Sequence, residues 1–334
     1  MSTGFNVAIA GATGAVGAEL IRLLEEREFP VRQLKLLASA KSVGKSLEFK
    51  REQIRVEMLS ENSFEGVDLA LFSAGAGTSK QFASRAVACG AVVVDNSSAF
   101  RMENDVPLVI PEINAADISA QRGIIANPNC TTIIALMALY PLHQEFGARR
   151  VVASSYQAVS GAGARAINEL SLQAKAYLQG EKYEPEIFPY PIAFNVLPQV
   201  DNFLETGYTK EEVKFVNESR KIMHHPTLRA SITCVRVPVF RAHSVAVHAE
   251  FERSVSVENA RDVLAKFPGL EVIDNVNLKR YPMPLNCAGR NDCQVGRIRL
   301  DSAFDNGLAF WVCGDQLLKG AALNALQIAE TLVR

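Results

Sequence analysis

The stretch VAIAGATGAVG, from Val7 to Gly17, is a short apolar run followed by a glycine turn. The apolar run predicts a buried strand, and leucines at helical spacing between Glu19 and Glu28 predict a helix directly after the turn. In this context the glycines let the backbone approach a pyrophosphate at the helix N-terminus. The spacing G-x-x-G-x-x-G is a variant of the usual dinucleotide fingerprint, so a tight turn that binds no ligand stays open as the alternative.

Strand and helix patterns alternate over the first 140 or so residues. This alternation predicts an α/β domain with a parallel, doubly wound sheet. Beyond residue 145 longer segments alternate apolar and polar residues, which predicts strands with one packed face and one open face. The predicted strands are residues 7–10, 34–38, 67–72, 91–95, 123–126, 150–159, 231–237 and 244–251, and the predicted helices are residues 19–28, 79–89, 164–178, 209–223 and 315–333.

The loop after the second predicted strand bears on the choice of cofactor. An NAD-specific site places Asp or Glu there to hold the ribose hydroxyls. This chain instead has Ser39, Ala40, Lys41 and Ser42, so no carboxylate would repel a 2′-phosphate. We therefore expect NADP rather than NAD, although a solvated polar loop would have the same composition.

The segment NPNCTT, from Asn127 to Thr132, places a cysteine between a short apolar run and a longer one. The pattern predicts strand, tight turn and helix, with Cys130 at or just before the first helical turn. Unpaired N–H groups and the helix dipole favour negative charge there, and the thiolate is the nucleophilic form of cysteine. The alternative is that Cys130 is a small buried hydrophobic residue, as most free cysteines are.

Several other side chains are candidates whose simpler explanation is structural. Arg101 follows the strand at residues 91–95 and could clamp an anion, or it could be a surface arginine. Glu211 and Lys214 lie three apart on a predicted helix, where an exposed ion pair is the plain interpretation. His243 lies between two predicted strands, not far from Arg236, and taken alone it is more often structural than catalytic.

Composition excludes several classes of protein. The 334 residues carry 35 Lys and Arg against 36 Asp and Glu, so there is no basic field for nucleic acid. No apolar run reaches the length of a membrane span, and the N-terminus enters a strand-like run without a signal-peptide pattern, so we expect a cytoplasmic protein. Six scattered cysteines form no C-x-x-C pair, which predicts reduced thiols and no metal site.

Six separated motifs in the same order resemble bacterial aspartate-β-semialdehyde dehydrogenases over essentially the whole chain. The chain is similar to the more compact branch of that family, without the longer central region of the enteric type. The motifs are Gly11–Gly17, Ser97–Arg101, Asn127–Thr132, Ser155–Gly163, Cys234–Pro238 with Arg241–Ser244, and Gly314–Leu318.

The resemblance implies two domains. Residues 1–130 would form a Rossmann-type NADP-binding domain with a doubly wound parallel sheet, completed by the C-terminal helix 314–334. Residues 131–313 would form an α+β catalytic and dimerisation domain with a mixed sheet. The assembly implied is a homodimer, possibly paired further into a tetramer.

The resemblance also implies a reaction. It is the reductive dephosphorylation of L-aspartyl-4-phosphate to L-aspartate 4-semialdehyde with NADPH, in the synthesis of diaminopimelate and lysine, methionine, threonine and isoleucine. The implied catalytic and substrate residues are Cys130 as thioester nucleophile, His243 as general acid and base, Gln157 at the acyl group, Arg236 at the substrate carboxylate, Glu211 at its amino group, and Arg101 with Lys214 at phosphate. The implied cofactor contacts are Gly11, Thr13, Gly14, Ala15, Val16, Ser39, Ala40, Lys41, Ser160, Gly161 and Gln316.

Three other functions compete with this one. N-acetyl-γ-glutamyl-phosphate reductase shares the layout and the thiol chemistry, but SSAFR at Ser97–Arg101 and the pair Glu211 and Lys214 fit the aspartyl enzyme better. A glyceraldehyde-phosphate-type dehydrogenase also uses Cys and His, but the motifs that surround them in that class are not found in this sequence. A non-catalytic NADP-binding sensor would leave Cys130 and His243 without a role.

Overall fold

The computed structural model describes residues 4–333, and the chain divides into two compact units. The first comprises Met1–Asn129 with Ala321–Arg334, and the second comprises Cys130–Gly320. The chain thus enters the second unit at Cys130 and returns to the first after Gly320. Within residues 4–333, no helix is both long and apolar enough to cross a membrane.

The first unit is built on a seven-stranded sheet in the order β3-β4-β2-β1-β5-β6-β7. All neighbouring strands are parallel except β3 and β4, which pair antiparallel at one edge. Its elements are β1 (Phe5–Ala10), α1 (Ala15–Glu26), β2 (Val31–Ala38), β3 (Ser46–Phe49), β4 (Glu52–Met58), β5 (Leu69–Phe72), α2 (Ala76–Ala88), β6 (Val92–Asp95), α3 (Pro111–Asn114), β7 (Ile124–Ala126) and α9 (Leu323–Leu332).

Burial on both faces of this sheet explains its apolar strands. All four residues of β5 are buried, as expected of a central parallel strand covered by helices on both sides. Helix α1 buries Leu20, Leu23 and Leu24, and burial of such a side chain contributes about 1.5–3 kcal/mol. The C-terminal helix α9 packs on α1, and Arg27 and Glu330 join the two helices through a bidentate ion pair.

The second unit is built on a six-stranded sheet in the order β11-β12-β13-β10-β8-β9. The sheet is mixed, because β8 and β9 pair parallel, as do β11 and β12, while the other neighbours are antiparallel. Its elements are α4 (Cys130–Phe146), β8 (Ala148–Gln157), α5 (Ala164–Leu178), α6 (Lys210–Ile222), β9 (Arg229–Arg236), β10 (His243–Phe251), α7 (Val257–Ala265), β11 (Leu270–Val272), α8 (Pro284–Cys287), β12 (Cys293–Leu300) and β13 (Gly307–Gly314).

One face of the mixed sheet is covered and the other is open. Helix α4 packs on β8, β10 and β13, and nearly all of its residues from Thr131 to Leu142 are buried, as expected of a helix inside a core. On the opposite face Val152 and Tyr156 stay exposed, and the Tyr156 ring lies 5.1 Å from that of Trp311. The second unit therefore presents an apolar sheet surface to its surroundings.

The structure confirms the predicted fold class, a doubly wound parallel sheet followed by an α+β unit with a mixed sheet. The prediction of one helix over residues 315–333 is wrong. Asp315 accepts hydrogen bonds from the N–H groups of Leu317 and Leu318, and a π-helical turn at Leu318–Ala322 precedes α9. The strands β3, β4 and β11–β13 and helix α7 were not predicted from the sequence.

Candidate active site

The glycine turn between β1 and α1 is shaped first by packing. Gly11 has a φ of +91°, and a side chain there would overlap the carbonyl of Ser73. A side chain at Gly17 would overlap the carbonyl of Gly11. Gly14 is the N-cap of α1 and offers no side-chain cap, so the first N–H groups of that helix remain available to a ligand.

Beside this turn lies a cavity of about 350 Å³ within the first unit. Among the described residues, its lining includes hydroxyl side chains and backbone but no carboxylate. Thr13 also donates to the Ser42 hydroxyl at 3.1 Å, which ties the glycine turn to the loop after β2. These features fit the phosphates of a dinucleotide. The lining residues are Gly11, Thr13, Gly14, Ala38, Ser39, Leu59, Ser73, Ala74, Thr78 and Phe82.

Arg101 is buried, so its interpretation as a surface arginine is wrong. Its Nε donates to the carbonyl of Asn127 at 2.9 Å, and its Nη2 donates to the carbonyl of Asn96 at 2.8 Å. Both carbonyls directly follow strands of the parallel sheet. The Asn127 side chain is fixed as well, donating to the Asn96 amide oxygen at 2.9 Å and accepting from Asn324 at 2.7 Å.

In the second unit, three predicted residues meet at one edge of the mixed sheet. Gln157 ends β8, Arg236 ends β9, and His243 begins β10. Because β8 and β9 are parallel, Gln157 and Arg236 are register partners. Strand β10 runs antiparallel to β8 and pairs Ser244 with Tyr156, which brings His243 beside Gln157.

The backbone N–H and carbonyl of Ala158 hold two of these side chains together. Its N–H donates to Nδ1 of His243 at 3.0 Å, and its carbonyl accepts from Nη1 of Arg236 at 2.7 Å. Gly161 passes so close that a Cβ there would lie 2.9 Å from Arg236 Nη1 and 3.3 Å from His243 Nε2. The sequence placed a glycine where any side chain would displace both groups.

His243 is fully buried, which fixes its protonation state. Burial, reinforced by the positive charge of Arg236, lowers the pKa of His243 well below its ordinary value, so the ring is neutral near pH 7. Since Nδ1 accepts the Ala158 N–H, the ring proton lies on Nε2. Nε2 is buried and has no hydrogen-bond partner among the described residues, so its proton is available to a bound reactant.

The residue before His243 is held in a strained conformation. Ala242 has a φ of +72°, a left-handed value that costs a non-glycine residue about 1–3 kcal/mol. Its N–H donates to Gln316 Oε1 at 2.8 Å, and Gln316 donates in turn to the Ser160 hydroxyl. Gln316 and Ser160, both predicted to contact the cofactor, therefore also hold the backbone that carries His243.

Cys130 is the first residue of α4, as the sequence predicted, and it is partly exposed. Burial lowers the pKa of Arg236, while the nearby Cys130 and Glu211 offset part of that shift, so this guanidinium acts electrostatically on Cys130. Cys234, in contrast, lies wholly inside the unit, where burial raises the pKa of its thiol. A helix N-terminus and a neighbouring guanidinium are the surroundings that activate a thiol.

A chain of side-chain contacts runs from the neighbour of Cys130 into helix α6. The Nε2 group of Gln157 donates to the Thr131 hydroxyl and, at 3.1 Å, to Glu211 Oε1. Glu211 Oε2 accepts from Lys214 at 3.2 Å, and the same ammonium donates to Asp201 at 2.8 Å. Gln157 Oε1 is buried and has no hydrogen-bond partner in the part of the chain that the structure describes.

Helix α6 begins where it does because of a capping box. Thr209 accepts from the Glu212 N–H at 3.3 Å, and Glu212 accepts from the Thr209 N–H at 2.7 Å. Glu212 also accepts from the N–H of Cys234 at 2.9 Å, which docks the helix on β9. The cap therefore sets the positions of Glu211 and Lys214 relative to the sheet.

The predicted residues thus fall into two groups. Cys130, Gln157, Arg236, His243, Glu211 and Lys214 lie in the second unit with Ser160, Gly161 and Gln316, whereas Arg101, Gly11, Thr13, Gly14, Ala15, Val16, Ser39, Ala40 and Lys41 lie in the first. Sequence reasoning missed Thr131, Ala158, Ala242 and Asp201. Thr131 directly follows Cys130 in the NPNCTT segment, but no local pattern indicates that Asp201 meets Lys214.

Comparison with known protein families identifies the general class to which the protein belongs. Residues 6–121 match the family model described as the NAD binding domain of semialdehyde dehydrogenases, and residues 139–319 match the model described as their dimerisation domain. Together with the two-unit fold and the partly exposed cysteine, these matches define a semialdehyde dehydrogenase, an oxidoreductase that acts on an aldehyde.

Individual proteins that are similar to this chain identify its family within that class. The chain is 52% identical over 335 residues to the aspartate-semialdehyde dehydrogenase of Aquifex aeolicus, covering 99% of this chain and 98% of that protein. The Bacillus subtilis enzyme of the same name is 48% identical over 340 residues, with 99% and 98% covered. The crystal structure of aspartate semialdehyde dehydrogenase II from Vibrio cholerae complexed with ASA has a TM-score of 0.97 at 45% identity, covering 100% of this chain and 99% of that one. The chain belongs to the aspartate-semialdehyde dehydrogenase family.

Proposed function

We propose that the protein converts L-aspartyl-4-phosphate to L-aspartate 4-semialdehyde with NADPH, through a thioester on Cys130. The observation that carries this proposal is that the backbone N–H and carbonyl of Ala158 hold His243 and Arg236 in the unit that begins with Cys130. A nucleophilic thiol, a cationic fork and a histidine with one available proton are what the reaction requires.

Thiol chemistry begins at Cys130. In the oxidative direction, the thiolate adds to the aldehyde carbon and forms a hemithioacetal oxyanion. Loss of hydride from that carbon leaves a thioester, which inorganic phosphate attacks to release the acyl phosphate and the thiolate. The biosynthetic direction runs the same steps in reverse. A cysteine serves better than a serine because its thiolate is accessible near neutral pH.

His243 stabilises the oxyanion. Its Nε2–H donates a hydrogen bond to the oxygen as the thiolate adds, and this bond holds the negative charge until hydride leaves and the carbonyl of the thioester forms. Gln157 holds the acyl group beside this proton. A neutral histidine with its proton on Nε2 cannot accept the thiol proton at that atom, so the ionisation of Cys130 depends on Arg236 and the start of α4.

Charged groups bind the rest of the substrate. A guanidinium matches a carboxylate with two parallel N–H donors, so Arg236 binds the α-carboxylate. Glu211 binds the α-ammonium group, and Arg101 and Lys214 bind phosphate. Burial of Glu211 and Arg236 strengthens these interactions, because water screens them less.

The cofactor would lie in the first unit at the cavity beside the glycine turn. The N-terminus of α1 and the Thr13 hydroxyl would hold its phosphates, and Ser39 and Lys41 would hold a 2′-phosphate, which favours NADP. When bound, its nicotinamide accepts hydride in oxidation and supplies it in reduction. Ser160, Gly161 and Gln316 complete the proposed contacts from the second unit.

The open face of the mixed sheet supports a homodimer. Val152, Tyr156 and the adjacent Trp311 form an apolar surface of the kind that marks a protein interface. The second unit, predicted as residues 131–313, would then be both catalytic and dimerising, and residues 1–130 with 314–334 would bind NADP. A role in lysine, diaminopimelate, methionine, threonine and isoleucine synthesis, further pairing into a tetramer and a cytoplasmic location stay predictions.

Substrate comparison tests the proposed reaction. NADP⁺ reduction is measured with aspartate semialdehyde and with N-acetylglutamate semialdehyde, each with and without inorganic phosphate. We expect phosphate-dependent activity on the aspartyl substrate alone. Activity on the acetylated substrate alone would transfer the thiol chemistry to N-acetyl-γ-glutamyl-phosphate reduction, and inactivity on both would contradict the proposal.

A further inference from the structure

The phosphate-binding lysine is already paired with two carboxylates. Lys214 Nζ lies 2.8 Å from Asp201 Oδ2 and 3.2 Å from Glu211 Oε2. Burial disfavours the ammonium, but Glu211 and Asp201 outweigh that effect and raise the pKa of Lys214. An ammonium has three donors, so these carboxylates leave one for an anion.

The two carboxylates have different surroundings. Glu211 is buried and also accepts from Gln157, which makes it part of the arrangement beside Cys130. The Asp201 side chain is 30% exposed and lies in the segment before α6. Asp201 is therefore the partner that a solvent-borne anion reaches and replaces more easily.

Local contacts hold Asp201 in place independently of Lys214. Its Oδ1 accepts the N–H of Asn202 at 2.8 Å, and its φ of +68° is one that aspartate and asparagine tolerate. Asn202 in turn accepts from the N–H of Lys210 at 2.9 Å, which ties the segment to the start of α6. A fixed carboxylate beside Lys214 must repel an incoming phosphate.

We propose that Asp201 competes with the phosphate of the substrate for Lys214 and thereby sets the affinity for phosphate. This inference rests on the proposed function. Asp201 keeps Lys214 paired in the absence of phosphate and weakens the binding of inorganic phosphate when it is present. The side chain touches neither the reacting carbon nor Cys130 in this role, so the chemical step does not depend on it.

The test is the variant Asp201→Asn in the oxidative assay. Asparagine keeps the backbone conformation and the bond from Asn202 but removes the charge. We expect the KM for inorganic phosphate to fall about twofold to fivefold, in keeping with the strength of partly exposed charge pairs. The kcat and the KM for aspartate semialdehyde should change less than about twofold. Asp201→Glu should restore the weaker phosphate binding, and the exposed Asp292→Asn should behave as wild type.

Salt and chemical labelling separate competition from a structural role. The ratio of wild-type to Asp201→Asn phosphate KM should approach one at high ionic strength, because repulsion between partly exposed charges is screened. Inorganic phosphate should also protect Lys214 from acylation at lower concentration in Asp201→Asn, measured by peptide mass spectrometry. A phosphate KM and protection midpoint that are unchanged or raised in Asp201→Asn would overturn the inference. If wild type lacks activity, the proposed function fails, and the protection assay still decides the competition for Lys214.

Discussion

Burial of His243 predicts a loss of stability in mild acid that His243→Gln removes. The unfolded chain takes up a proton on this histidine near the ordinary pKa of 6.5, whereas the folded chain does not until much lower pH. Below the ordinary pKa the unfolded state therefore binds more protons than the folded state, so the free energy of unfolding falls as the pH falls. The contribution of one such group is about 1.4 kcal/mol per pH unit. Above the ordinary pKa the ring is neutral in both states, so it adds no pH dependence to the free energy of unfolding.

The assay is urea unfolding of wild type and His243→Gln at several values between about pH 7.5 and about pH 5.5. Glutamine is uncharged throughout this range, so the variant removes the titrating group. We expect the wild-type free energy of unfolding to lose about 1.4 kcal/mol more than the variant between about pH 7.5 and about pH 5.5. The exposed His224→Asn serves as the control and should follow wild type. Equal losses in wild type and His243→Gln would refute the argument that burial keeps this ring neutral.

Three further substitutions test the site. Gly161→Ala places a Cβ 2.9 Å from Arg236 Nη1, so it should lower kcat about tenfold to hundredfold with little effect on the folded fraction by circular dichroism; full activity would show that this approach is not needed. Combining Ser39→Ala with Lys41→Ala should raise the KM for NADP⁺ more than that for NAD⁺, and unchanged discrimination between the two would remove these residues from the 2′-phosphate site. Cys130→Ser should abolish turnover while NADP⁺ still binds by fluorescence titration, and an active variant would exclude the covalent mechanism.

Periodicity was enough to predict the parallel, doubly wound sheet of the first unit, whereas the mixed sheet of the second unit was implied by the family resemblance. The continuous apolar runs of β1 and β5 indicate strands covered on both faces, and the structure buries them in that way. The antiparallel edge formed by β3 and β4 was missed because its residues are largely exposed and lack an apolar signal. The C-terminal helix was placed eight residues too early, since no pattern reveals that Asp315 caps a turn through its side chain.

The candidate site could be predicted only in part, because local sequence patterns do not reveal which side chains and backbone groups meet in the folded chain. The family motifs predict Cys130 and His243 as site residues, and the structure places them at the starts of α4 and β10. The Ala158 N–H determines which ring nitrogen of His243 carries the proton. Any residue except proline would supply that N–H, so no sequence pattern records this contact. The pairing of Asp201 with Lys214 joins residues from different segments, and only the folded chain brings them together.

The most direct test of the account is to trap the intermediate. The protein is mixed with aspartate semialdehyde and NADP⁺ without phosphate, quenched in acid and analysed by peptide mass spectrometry. We expect an aspartyl group to accumulate on Cys130 and to disappear when inorganic phosphate is added. NADPH formation without any acyl group on Cys130, or an acyl group on another residue, would contradict the thioester mechanism.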